Sequence, residues 1–246
     1  MHAGSPIDMW HVTMAIAQRA GGDPGHPAVF CPMDAPEPIK PQQLVVMETD
    51  GWTQLDAATL EAFERVLEAL RGQGVTIIRR GGSTAVESFE RGIATIRAVN
   101  SDLCAFENRA AFENLVEQHP GKLSARTMKV LERGRAMSLE DYRQRLRERE
   151  EGRQRLLALA PLCDGLISLS SPGPAPIHDD SSARPTGDAI FNYPSSTLGA
   201  PAVTVPLIGV SGMPVGVQIM GQLNGDARVA AIARWLGANV APVQAG

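Results

Sequence analysis

The chain changes character at Cys163, and that change limits what it can fold into. Beyond this residue charge nearly disappears, and Pro, Gly, Ser and Thr crowd between short apolar runs at residues 166–169, 202–205 and 215–220. Short apolar runs bounded by turn residues read as buried strands. Before Cys163 the apolar residues recur mainly at helical spacing, with two β-like runs at 44–47 and 75–78. Between those runs Asp56 caps a helix whose Leu60, Phe63, Leu67 and Leu70 form one stripe, ended by Gly72 and Gly74. A strand, a helix of roughly 15 residues and a strand predict a crossover connection with parallel pairing. The expectation is an α/β fold: a mixed, largely parallel β-sheet flanked by helices.

Other helices follow from the same periodicity. In residues 7–20 Met9, Val12, Ile16 and Ala20 recur at near-helical spacing, and Gly21 and Gly22 supply a stop. Residues 23–41 are rich in Pro and Gly and read as loop. Two helices are expected at 87–99, with Phe89, Ile93 and Ile96 on one face, and at 102–116, with Leu103, Phe106 and Leu115. Ser138 and Asp141 form a capping-box signature for a long charged helix reaching residue 160. Its Arg143, Arg147, Glu148, Glu151 and Arg155 read as solvated surface with local ion pairs. A last helix over 226–236 carries Val229, Ile232 and Leu236.

Bulk properties exclude several classes of partner. A net charge of −4 leaves no basic footprint for nucleic acid and no polybasic membrane patch. No apolar run approaches the roughly 18 residues of a membrane span, and the first ten residues lack signal-peptide character. Cys31, Cys104 and Cys163 are far apart and odd in number, which reads as incidental thiols in a reducing cytoplasm. His2, His11, His26 and His119 are dispersed, so no metal site is expected. His178 beside Asp179 and Asp180 could form an acid–base pair, but adjacent residues in a polar loop rarely hold that geometry.

Three motifs carry a specific resemblance. Residues 164–176 read DGLISLSSPGPAP, residues 186–206 read TGDAIFNYPSSTLGAPAVTVP, and residues 212–221 read GMPVGVQIMG. In this order and spacing they resemble the C-terminal part of the amidase signature family, serine hydrolases that cleave carbon–nitrogen bonds. Upstream, AGGDPGHP resembles the family's linker beyond its catalytic core. The resemblance covers most of the chain loosely and residues 164–236 closely. It implies one partial amidase domain over 1–246: a helix and Pro/Gly linker to 41, a βαβ and helical region over 42–162, and a sheet and pocket-loop region over 163–246. It also implies hydrolysis of a carboxamide without a cofactor. Ser171, Pro172, Phe191, Asn192, Tyr193, Ser196 and Thr197 match segments that line the family's substrate pocket.

The resemblance implies Ser–Ser–Lys chemistry, in which the middle serine relays protons to and from an unprotonated, desolvated lysine. The lysines here are Lys40, Lys122 and Lys129, and none precedes a Gly-Gly-Ser-Ser-Gly-Gly signature. Arg80-Gly81-Gly82-Ser83-Thr84-Ala85 imitates part of it, but Ser83 follows a predicted strand and reads as a helix N-cap. No catalytic residue is therefore assigned within 1–246. The expected partners are a small-molecule amide and either a missing N-terminal amidase half or a second copy. Alternatives are a non-catalytic pseudo-amidase that binds a partner or a small amide without turning it over, and an amidase-like subunit of a transamidation complex. Finally, Gly216 within a strand predicts close approach of another backbone or of a ligand, and Gln218, polar among apolar neighbours, predicts a hydrogen bond to a loop.

Overall fold

The computed structural model describes residues 1–22, 29, 31–178 and 187–246. Ser5 caps the first helix, α1 (Pro6–Ala20), with Pro6 in its first turn and Gly21 at its end with φ +67°. The helix is where periodicity places it, but the predicted stripe faces out. Val12 and Ile16 are 43% and 49% exposed, whereas Trp10 and Met14 are buried against Ala230. The docking site comes from the far end of the chain, and the Trp10 indole N–H donates to Pro32 O at 3.2 Å. A 3.6-residue period cannot show which of two semi-apolar faces meets such a partner.

Next come β1 (Gln43–Val46), α2 (Ala57–Gly72) and β2 (Thr76–Ile78), forming the expected crossover with β1 and β2 parallel. Asp56 caps α2, accepting from the Thr59 amide at 2.6 Å, and Phe63, Leu67 and Leu70 are buried. Ser83 then caps α3 (Thr84–Ile93), as predicted. The expected break near residues 100–101 is absent: α3 ends at Ile93, and α4 runs unbroken from Ile96 to Gln118. Asn100 and Ser101 look like helix breakers. Here the Ser101 hydroxyl bonds Arg97 O one turn back, and Asn100 receives the Thr197 hydroxyl. Both polar groups are satisfied within a helix.

A separate helix, α5 (Ala125–Ala136), precedes α6 (Leu139–Leu157), which starts with the Ser138–Asp141 capping box. Asp102 of α4 knits these three together, accepting from Arg133 Nε at 2.5 Å and Arg145 Nε at 2.8 Å. Its carboxylate is nearly buried, so the two guanidiniums compensate the charge where water does not. The α6 ion pairs include Arg147–Glu140 at 2.8 Å, as the surface reading expects. Arg155 departs from that reading and turns inward onto α3.

Beyond Cys163 lie β3 (Gly165–Leu169), α7 (Tyr193–Leu198), β4 (Ala202–Val210), β5 (Met213–Met220), α8 (Asp226–Asn239) and β6 (Val243–Ala245). The three predicted β-runs of this region share one six-stranded sheet, ordered β2-β1-β3-β5-β4-β6. Only β5 runs against its neighbours; the β1–β2, β1–β3 and β4–β6 pairs are parallel. The hairpin joining β4 to β5 turns at Ser211 and Gly212, with φ of +50° and +76°, the primed geometry that matches strand twist. The β4–β5 register shifts between Val205 and Ile208, around Pro206, which has no N–H for the ladder. The short β6 has no strong sequence signature.

One sheet face, with Leu44, Val46, Ile167, Leu169, Val217 and Ile219, packs on α2 and α8. The other, with Val45, Leu166 and Met220, packs on α3, α6 and Leu198 of α7. Toward β4 no element among the described residues covers this second face, and Ala202, Thr204 and Pro206 are exposed.

Gly134 marks where α5 meets α4: an added Cβ would overlap the carbonyl oxygen of Ala105. Alanine is the better helix former by about 1 kcal/mol, yet Gly134→Ala is expected to lower stability by about 1–3 kcal/mol through overpacking. Gly72→Ala, facing open space at the end of α2, is expected to be neutral or stabilising by up to about 1 kcal/mol. Urea unfolding checks this, and equal effects from the two variants would contradict the α4–α5 contact.

Candidate functional site

The parallel strands β1 and β3 end at the same edge of the sheet, where α/β proteins place ligand contacts. The loop after β3 carries Ser170, Ser171, Pro172 and Gly173. The Ser170 amide continues the ladder onto Gly216 O at 2.9 Å. Ser171 bonds within the loop, its hydroxyl donating to Gly173 O at 2.7 Å. Gly173 lies over the start of α2, where a Cβ would stand 3.6 Å from Thr59 Oγ1. That hydroxyl is fully buried and is the one buried side-chain polar atom without a partner among the described residues.

The 187–198 segment is fastened to this loop by two amides. Asn192 Nδ2 donates to Ser170 O at 2.9 Å, and Gln218 Nε2 donates to Phe191 O at 3.1 Å and Ser168 Oγ at 3.2 Å. Gln218 is 2% exposed and sits on β5 directly opposite Ser168, so the predicted bond from Gln218 to a loop is present. Gly216, one pleat away, leaves room for Thr204 and Ser170; a Cβ there would overlap the Thr204 methyl and lie 2.5 Å from Ser170 Oγ. The close approach at Gly216 is thus made by neighbouring side chains and not by the backbone or ligand that the sequence predicts.

The candidate pocket residues do not all share one surface. Ser171, Pro172, Asn192 and the Phe191 carbonyl gather around the end of β3, whereas the Phe191 ring is fully buried in the core. Tyr193 packs between both cores, with the Arg97 guanidinium 5.3 Å from its ring centre. Arg97 also holds Asp188, with 2.7 Å to each carboxylate oxygen. Thr197 turns to α4, donating to Asn100 Oδ1 at 3.1 Å, and Ser196 is exposed.

A second loop escapes sequence reading. After β1, Glu48 and Thr49 turn sharply, Thr49 having φ +56°, and lead into a tight turn at Asp50–Gln54. Gly51 of that turn lies against Ile190 and Phe191; a Cβ would come within 2.6 Å of the Ile190 side chain. Glu90 of α3 holds this loop, accepting the Glu48 amide at 2.7 Å and the Thr49 amide at 3.1 Å. It is 4% exposed, and burial raises its pKa above 4.5, partly offset by those two amides. A signal was available: Val86, Phe89, Glu90 and Ile93 share one helical face, so Glu90 stands in an apolar stripe.

The expected nucleophile imitations are engaged elsewhere. Ser83 caps α3, accepting the Val86 amide at 3.4 Å. Lys40, Lys122 and Lys129 are all exposed, so none is desolvated as a lysine base must be. Burial pushes the Cys163 thiol up to about 11, away from thiolate chemistry. Asp179 and Asp180, proposed partners of His178, lie outside the described residues, as does His26.

The sequence matches the Amidase family profile over residues 8–230. The chain belongs to the amidase family. Its fold matches that of a crystallised amidase at 26% identity and TM-score 0.70, over 83% of this chain and 47% of that one. It also matches a protein from a vestigial complex tied to the origins of an s-triazine catabolic enzyme, at 19% identity and TM-score 0.66. That match covers 91% of this chain and 50% of the other. A third match is to a glutamyl-tRNA(Gln) amidotransferase subunit from Thermotoga maritima, at 17% identity and TM-score 0.56, over 83% of this chain and 46% of the other. The chain thus spans about half the length of these solved structures. No curated protein matches it in sequence.

Glu90 makes this amidase chain's stability depend on pH in a defined sense. A carboxyl whose folded pKa is raised binds its proton more tightly in the folded state, so its contribution is present below about 4.5 and lost as pH rises through the folded value. Arg80 and Glu48 face the same carboxyl and act in opposite directions. Chemical denaturation of wild type and Glu90→Gln from pH 4 to 8 is expected to show wild type losing stability relative to the variant as pH rises. In the variant the Glu48 and Thr49 amides are expected to exchange faster. A pH-independent difference would contradict burial of this carboxylate.

Proposed function

We propose that this chain supplies one wall of a carboxamide-binding pocket in an enzyme that hydrolyses carbon–nitrogen bonds. The reading is carried by the family match over residues 8–230. It is supported by the clasp that Asn192 and Gln218 make between the Phe191–Tyr193 segment and the end of β3. In this reading Ser171, Pro172 and Asn192 border the substrate, with Phe191 and Tyr193 supporting them from the core and Thr197 anchoring the segment to α4. Carbonyl and hydroxyl groups at this strand end orient the amide, and tight packing beneath them keeps that geometry without rearrangement on binding.

The nucleophile and its base come from outside these 246 residues, because no lysine here is buried and Ser83 and Ser171 serve local backbone structure. Completion by further polypeptide, whether an N-terminal half or a second copy, also accounts for the exposed Ala202–Thr204–Pro206 face of β4 and the exposed Ile7, Val12 and Ile16 on α1. The same lysine observation favours, as a second reading, a protein that binds amides without turning them over. A role within a transamidation complex fits the likeness to the Thermotoga maritima protein.

Purified 1–246 is expected to hydrolyse neither aliphatic nor aromatic amides and to self-associate on size-exclusion chromatography. Loss of the nucleophile alone costs several orders of magnitude in rate. Turnover abolished by Ser83→Ala or Ser171→Ala would overturn the assignment. A clean monomer that binds benzamide, without hydrolysing it, would select the binding-protein reading.

A further inference from the structure

Two adjoining cavities lie away from the candidate amide site and share Ser88 and Arg155. One, of about 790 Å³, is lined by Arg80, Arg91 and Arg155 with Glu87 and the Gly81-Gly82 turn. The other, of about 610 Å³, runs between α3 and α6 past Ala85 and Ala158. Neither borders Ser171, Pro172 or residues 191–197.

The charges of the first cavity do not balance. Three guanidiniums and one carboxylate line it, and beyond the lining Glu90 and Glu48 also act on Arg80. Glu87 is shared by two of the arginines, bonding Arg80 on one side and Arg91 Nε at 2.5 Å on the other. Those bonds hold its pKa down to about 2, so the balance persists across neutral pH. Arg155 has no carboxylate partner among the described residues. Its Nη1 donates to Ser88 O at 3.1 Å and Ser88 Oγ at 2.7 Å, both neutral acceptors. Its stem lies across Gly92, where any Cβ would overlap it. The guanidinium is thereby held in place before any ligand arrives, which lowers the ordering cost of binding. In the second cavity Arg147 and the shared Arg155 are balanced by Glu150 and Glu151. The excess of positive charge, which favours an anion, is confined to the first cavity.

We propose that this pair of cavities binds a phosphate monoester, with the dianionic phosphate among Arg80, Arg91 and Arg155 and its uncharged carbon portion in the α3–α6 groove. A dianion meets the excess of guanidiniums lining the cavity, and planar guanidinium forks suit phosphate oxygens. The ester carbon faces Ala85 and Ala158, where a second charge would meet Glu150 and Glu151. This inference is independent of the amide-pocket reading.

Isothermal titration at low ionic strength with phenyl phosphate, inorganic phosphate and benzoate tests it. Phenyl phosphate is expected to bind saturably at one site, more tightly than either control. Arg155→Met keeps the stem over Gly92 but removes the fork, and is expected to weaken binding about tenfold or more. Arg91→Gln, at an exposed position, is expected to weaken it several-fold even if the first variant folds poorly. Arg143→Gln, which lies outside both cavities, is expected to leave it unchanged. Absence of saturable binding, wild-type affinity in both Arg155→Met and Arg91→Gln, or benzoate binding as tightly as phenyl phosphate would each overturn the proposal. Inorganic phosphate matching phenyl phosphate would overturn the assignment of the α3–α6 groove.

Discussion

A single buried amide connects this fold to its candidate site. Gln218 projects from β5, the one reversed strand, into an environment with almost no solvent. There its N–H groups meet Ser168 across the ladder and Phe191 O in the segment that must be brought to the sheet. A buried polar group is costly unless paired, so the position is stable only with 191 seated. Asn192 then reaches Ser170, and Phe191 enters the core beside Gly51. Loop geometry at this strand end thus follows from satisfying a side chain in the sheet.

The neighbouring loop obeys the same logic from the helical side. Glu90 carries a charge into an apolar face and is tolerated because two otherwise unpaired amides of the sharp Glu48–Thr49 turn point at it. Two strand-end loops are held by two buried polar side chains, one from the sheet and one from α3. Each costs solvation and returns a fixed backbone geometry, which is the kind of exchange functional sites make.

Much of the fold is legible because it rests on local rules. Asp56, Ser83 and Ser138 announce helix starts through capping, and all three cap as expected. The apolar runs beyond Cys163 enter one sheet, whose two faces are buried against helices. What periodicity misses depends on distant partners. It picks the wrong face of α1 because Ala230 decides that face, and it splits α4 because Asn100 is satisfied by Thr197, 97 residues away. At the site, Gln218 stands out as a polar residue in an apolar strand. Phe191 and Thr197 match pocket motifs but point respectively into the core and toward α4. Motif matching locates a segment, while the orientation of each side chain is set by packing.

The central claim is that Gln218 holds the 187–198 segment against the end of β3. Gln218→Met keeps the length and volume of the side chain while removing both donors, leaving Phe191 O unpaired at a cost of about 1–3 kcal/mol. Hydrogen exchange of wild type and variant, resolved by peptide, tests the claim directly. Exchange is predicted to accelerate selectively in 187–198 and 170–173, with β1 and α2 little changed. Unchanged exchange in those two segments, or a uniform rise across the whole chain, would contradict it.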